Sequence, residues 1–206
     1  MSQSLKSKAL GVGSAAFLLA GAVAFNPGTA KAEPADFVLD PTHTYITFFV
    51  SHIGYSDMAG MFLESGGSFS YDEEAKELKS ATITVKTDSV FTNHDKRDEH
   101  LRGTDFLNVG EFPEMTFVAT KADKLSDTEG KITGDLTLLG VTKPITLDVT
   151  FNKAANYPFG DGHYALGFDA TGSFKRSEFG MTYGVDGDIV GDEIKLVIGA
   201  EGIRQE

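Results

Sequence analysis

Three groups of residues in this 206-residue sequence have types and spacings that could do chemistry: a charged run at 93–102, a Ser-His pair at 51–52, and a basic step at 175–176. The run Asn93-His94-Asp95-Lys96-Arg97-Asp98-Glu99-His100-Leu101-Arg102 lacks the period of two of a strand and reads as a short polar helix. On such a helix His94 and His100, six residues apart, point away from a common face and make no local metal pair. Asp98, Glu99 and His100 are adjacent and therefore diverge, which suits a solvated face or a cap on a larger element better than paired acid and base work. Ser51-His52 lacks the G-x-S-x-G turn that would expose a nucleophile. His43, His52 and His163 fall in separate segments, no H-E-x-x-H occurs, and Cys is absent. Only a metal site assembled from distant histidines and carboxylates stays open, so the expectation is no metal, no cofactor and no enzyme. Glycine-rich 184–191 carries Asp186 and Asp188, which would repel a phosphate.

Lys175-Arg176-Ser177 interrupts an acidic C-terminal half. A guanidinium there has two readings. It could pair with the anionic head group of an amphiphile, helped by Arg97, His100 and Arg102 from the helical run, or it could form an ion pair with a nearby carboxylate.

The elements that must position these groups are strands. Apolar residues alternate with Thr, Ser or charge at 81–85, 132–138 and 145–151, the pattern of strands with one wet face. Further strands are expected at 44–52, 61–71, 115–121, 163–174 and 193–201, joined by short turns that only antiparallel neighbours can use. Eight antiparallel strands hide their edges by closing into a barrel. The fold expected is therefore all-β: a single eight-stranded antiparallel barrel with a short helical insertion between the third and fourth strands, anchored by Phe106, Leu107 and Phe112.

Residues 1–32 read as a cleaved signal peptide, with Lys6 and Lys8, an apolar stretch at 15–24 and the small-residue site Ala30-Lys31-Ala32. The expected mature domain is 33–206, exported to the periplasm and soluble there, without stable membrane insertion. Three of the 18 basic residues and none of the 30 acids lie in the leader, so the mature chain would hold 15 basic against 30 acidic residues, a net −15. That charge excludes nucleic acid as a natural partner and favours an apolar ligand. A homodimer is compatible with all of this.

A barrel of this size either fills with side chains or holds one small ligand. Phe48, Phe62, Phe69, Phe117, Phe151, Phe168, Phe174 and Phe179, with Met58, Met61, Met115 and Met181, suit a hydrocarbon tail, and they suit a packed core equally well.

Segment order resembles that of the YceI-like family. The resemblance runs from Phe37-Val38-Leu39-Asp40-Pro41-Thr42-His43-Thr44 and Val50-Ser51-His52-Ile53-Gly54 through Arg97-Asp98-Glu99-His100-Leu101-Arg102-Gly103-Thr104-Asp105-Phe106-Leu107-Asn108. It continues in Phe112-Pro113-Glu114-Met115-Thr116-Phe117, in Gly134-Asp135-Leu136-Thr137-Leu138-Leu139-Gly140-Val141-Thr142-Lys143-Pro144 and in Phe174-Lys175-Arg176-Ser177-Glu178-Phe179-Gly180-Met181. One departure is Leu107-Asn108, where the family more often has an aromatic residue and an acid. The resemblance implies a lipocalin-like barrel that carries a polyisoprenoid or similar long-chain lipid in its lumen, with no catalytic set. The tail would lie on Phe48, Val50, Phe62, Phe117, Leu136, Phe168 and Phe174, with His52, Phe106, Phe179 and Met181 completing the contacts and Arg97, His100 and Arg176 meeting the head group. Rival readings are a stress-related or structural periplasmic protein without a ligand, and an enzyme acting on an isoprenoid or fatty amide.

Overall fold

The computed structural model describes residues 33–206 together with Met1, so the expected signal segment lies outside the described residues. Eleven strand segments form one antiparallel sheet: β1 (Ala35–Leu39), β2 (Tyr45–His52), β3 (Ser56–Phe62), β4 (Ser65–Asp72), β5 (Glu77–Lys86), β6 (Val90–Phe91), β7 (Glu114–Lys124), β8 (Glu129–Leu138), β9 (Val141–Asn156), β10 (Tyr164–Lys175) and β11 (Val190–Arg204). Neighbours run β1-β4-β5-β7-β8-β9-β10-β11, and β1 pairs back onto β11. The result is a closed eight-stranded barrel with no free edge along that circuit.

The extra segments arise because three strands are broken. β1 and β2 lie end to end along β11, where Leu39 faces Gly202 and Tyr45 faces Gly199. β4 and β3 continue one another in the same way, as do β5 and β6. Counted by segments, the helix α1 (Asp95–Arg102) follows β6; a count on unbroken strands had put it after the third. His94 caps it, its ring nitrogen accepting from the Arg97 N–H at 3.3 Å. The β8–β9 turn is tighter than expected, because Leu139 and Gly140 both adopt positive φ, the two-residue hairpin geometry, and Pro144 sits inside β9 opposite Asp135.

The break between β1 and β2 is held by a polar knot. Thr42 donates its N–H and hydroxyl to Asp40 Oδ1 at 2.8 and 2.7 Å, and His43 Nδ1 meets Oδ2 at 2.7 Å. Burial opposes ionisation of Asp40, but the hydrogen bonds from His43 and Thr42 outweigh it and hold its pKa at about 2. The same bond to Asp40 raises the His43 pKa.

The two groups lose their contributions at opposite ends of the pH scale. The Asp40 contribution to stability is present above the ordinary Asp value of about 3.9 and is lost as pH falls through 2. That of His43 is full below about 6.5 and is lost as pH rises through its raised value. NMR titration should find His43 above about 6.5, and Asp40→Asn should bring it back towards that value.

Candidate functional site

Strand alternation turns one row of each strand inward: Ile46, Phe48 and Val50 from β2, Ile145, Leu147, Val149 and Phe151 from β9, Leu166, Phe168, Ala170 and Phe174 from β10. In a filled barrel such residues would be wholly buried. Phe48, Phe62, Phe117, Phe168 and Phe174 are only half-buried although they lie on the inner wall, because their inner faces border a cavity of about 540 Å³.

Glycine keeps that cavity open. The Phe48 ring lies over Gly60 on β3, so close that a Cβ there would sit 2.2 Å from it, and Phe117 lies over Gly134 on β8 in the same manner at 2.3 Å. Phe69 covers Gly202, at 2.5 Å. Each ring thus lies flat on the wall where a side chain would push it into the lumen. Leu39, Phe69, Leu166 and Ala200 of the lining pack with Phe37 into a buried cluster, with Phe37 and Phe69 stacked at 5.0 Å. The exposed residues of the lining, His52, Ala59, His100, Tyr183 and Ile189, gather at one end, where the cavity reaches the surface.

The structure places nearly all of the expected side chains on this lumen: Phe48, Val50, His52 and Phe62; Arg97, His100 and Phe106; Phe117, Leu136, Phe168 and Phe174; Arg176 and Met181. Phe179 is the exception. It is 1 % exposed in the core beneath the mouth, edge-on to Phe174 at 5.3 Å. Phe106 and Leu107 anchor the insertion in that same core. Tyr183 and Ile189 were not anticipated. They come from the acidic glycine-rich loop, which has no period to betray an inward face.

Polar groups at the mouth are committed to the chain itself. Arg176 is 1 % exposed and donates to four backbone carbonyls, those of Gly191, Met181, Tyr183 and Val190, at 2.7–2.9 Å. Four of its five N–H groups are spent on folding the 181–191 loop, and among the described residues no carboxylate forms the expected ion pair with it. Burial lowers its pKa, and Asp192 partly offsets that. Asp98 is likewise buried, not on a solvated face: it accepts from the Thr92 N–H at 2.8 Å and from the Thr92 hydroxyl. Arg97 donates to the Thr92 hydroxyl and carbonyl, both at 2.7 Å, and Arg102 to the carbonyls of Asp88 and Val90. His100 pairs with Asp105 at 2.9 Å and packs edge-on against Phe106 and Tyr183.

Among the described residues, one group could hold a metal ion: Asp40, His43 and Glu201, with ligand atoms within 4.8 Å of one another. None of them lines the lumen, and Asp40 is already engaged by Thr42 and His43. No helix among the described residues is long and apolar enough to cross a membrane.

A family model, the YceI-like domain, matches residues 37–201. The chain belongs to the YceI-like family. A UPF0312 protein of Yersinia enterocolitica is 39 % identical over 188 residues, 91 % of this chain and 95 % of that protein. The crystal structure of the Campylobacter jejuni YceI protein superposes with a TM-score of 0.68 at 33 % identity, covering 76 % of this chain and 90 % of that one. A domain from Saccharophagus degradans, described as a polyisoprenoid binding domain, shares the fold with a TM-score of 0.63 at 13 % identity, covering 84 % and 99 %. The YceI-like barrel is thus seen here with an unfilled interior.

Two substitutions separate wall from scaffold. Gly60→Val should drive Phe48 inward and weaken binding of an apolar fluorescent probe by about tenfold or more, while costing about 1–3 kcal/mol of stability. Arg176→Met should lower stability by on the order of 4 kcal/mol in urea unfolding, since four carbonyls lose their donor; an Arg176 that only met a ligand would leave the unfolding midpoint unmoved.

Proposed function

We propose that this protein is a periplasmic carrier that holds a polyisoprenoid or similar long-chain amphiphile in the barrel lumen and performs no chemistry on it. The observation that carries this reading is the apolar cavity of about 540 Å³, open at one end and lined by aromatic and aliphatic side chains. Its size falls within the roughly 300–1,000 Å³ usual for ligand pockets. Burying ten methylenes would contribute about 8 kcal/mol gross at roughly 0.8 each, before the costs of ordering the tail, which suffices for retention without a covalent bond.

The same geometry bears on the head group. Arg176, Arg97 and Arg102 already donate to the chain's own oxygens, and the rim carries Asp105, Asp186 and Asp188. A neutral polar end, such as a quinone, alcohol or amide, meets no repulsion from these acids, whereas a diphosphate would face the exposed Asp186 and Asp188. The description of the Saccharophagus degradans domain as polyisoprenoid binding supports the tail class. Passage through the periplasm rests on the export segment read at 1–32.

Protein purified from the periplasm without detergent should yield a long-chain lipid on organic extraction and mass spectrometry, at close to one per chain. Phe168→Asp, which places an unpaired carboxylate on the lumen wall, should cut that recovery by about tenfold or more. Equal recovery from both proteins would remove the lumen as the binding site.

A further inference from the structure

The turn joining β2 to β3 is built from the wrong residue for its backbone. Ile53 and Gly54 have φ of 51° and 68°, and the Tyr55 N–H returns to the His52 carbonyl at 3.0 Å, a turn with two successive left-handed residues that favours Asn-Gly or Asp-Gly. A β-branched side chain in the left-handed region is strained. Ile53 is not taken into the core in return, being 50 % exposed.

Its neighbours are of the same kind. The Ile53 N–H donates to the carbonyl of Ile189, itself 50 % exposed; Tyr55, across the turn, is 86 % exposed, and Tyr183 is 47 % exposed. Ile189 and Tyr183 also line the cavity. The exposed apolar tip is therefore continuous with the inner wall of the lumen at its open end.

We propose that this tip docks reversibly on the surface of a zwitterionic lipid bilayer, with Ile53 and Tyr55 entering the head-group layer and the cavity mouth held against it. The choice of a bilayer rests on the carrier reading above: a long-chain lipid avoids water on entry only if an apolar path joins its source to the lumen, and Ile189 and Tyr183 supply that path. Tyrosine suits the boundary, apolar in its ring and polar at its tip. Asp186 and Asp188 on the adjoining loop are exposed, so a surface that presents ammonium groups would be tolerated there and an anionic one repelled. So few side chains give shallow, reversible attachment, as a carrier that must leave again requires.

The test is flotation of the purified protein with phosphatidylcholine vesicles, beside the double variant Ile53→Asn, Tyr55→Ser. Neither residue lines the lumen, and Asn suits the turn, so the variant should unfold at the same or a higher temperature. Its vesicle-bound fraction should fall about fivefold or more, with lipid recovery on extraction unchanged. Replacing about a third of the lipid with phosphatidylglycerol should reduce binding of the wild-type protein.

Equal flotation of wild type and variant overturns the proposal. So does a wild type that carries its lipid yet never floats, which would leave the tip to a protein partner. Flotation lost in the variant from a wild type that yields no lipid would instead uphold docking and remove the carrier reading.

Discussion

The structure depends on one steric constraint: aromatic rings that would otherwise meet in the middle of a closed barrel lie flat against its wall over glycines. Phe48 over Gly60 and Phe117 over Gly134 each place a large apolar face towards the lumen without filling it. Eight strands around a ring leave space either for side chains or for one guest. Wherever an inward position is glycine, the balance tips towards the guest. Closure through β1, bonded to both β4 and β11, keeps this space from collapsing, since the wall cannot flatten without breaking a ladder.

The mouth follows a different logic. Its charged residues form its shape and are not left over to meet a ligand: the Arg176 guanidinium gathers four carbonyls from 181–191, and Thr92 joins Arg97 to the buried Asp98. Loops of this length with unpaired buried carbonyls would be costly, and a planar group with five donors meets them at once. The inner wall is thus apolar, and these charged groups are turned towards the chain, while the exposed Ile53, Tyr55 and Ile189 face outward.

Much of this was legible in the sequence, and the reasons it was or was not are local. Alternation in 132–138 and 145–151 marked inward rows directly, because a period of two survives any change of partner. Two of the three strand breaks were hidden because they are held by contacts between distant residues, the Leu63 N–H on the Ser89 carbonyl and the Thr87 hydroxyl on the Phe112 carbonyl. Arg176 was conspicuous as a base among acids, but its burial depends on a loop that folds back on it. Phe179 had the right residue type for the wall, yet the turn after β10 sends it beneath the mouth. Gly60 and Gly134 stood in plain view; their meaning required the register that brings a ring across them.

The central claim is that the lumen is empty of the protein's own side chains and made for an elongated guest. Electron density from crystals of protein isolated from its own compartment without detergent tests it most directly. The account predicts continuous elongated density running from the His52 and Tyr183 end towards Phe168, with Phe48 and Phe117 still flat on the wall. Rings swung inward from Gly60 and Gly134 to meet across the axis, with no room for a chain between them, would contradict it.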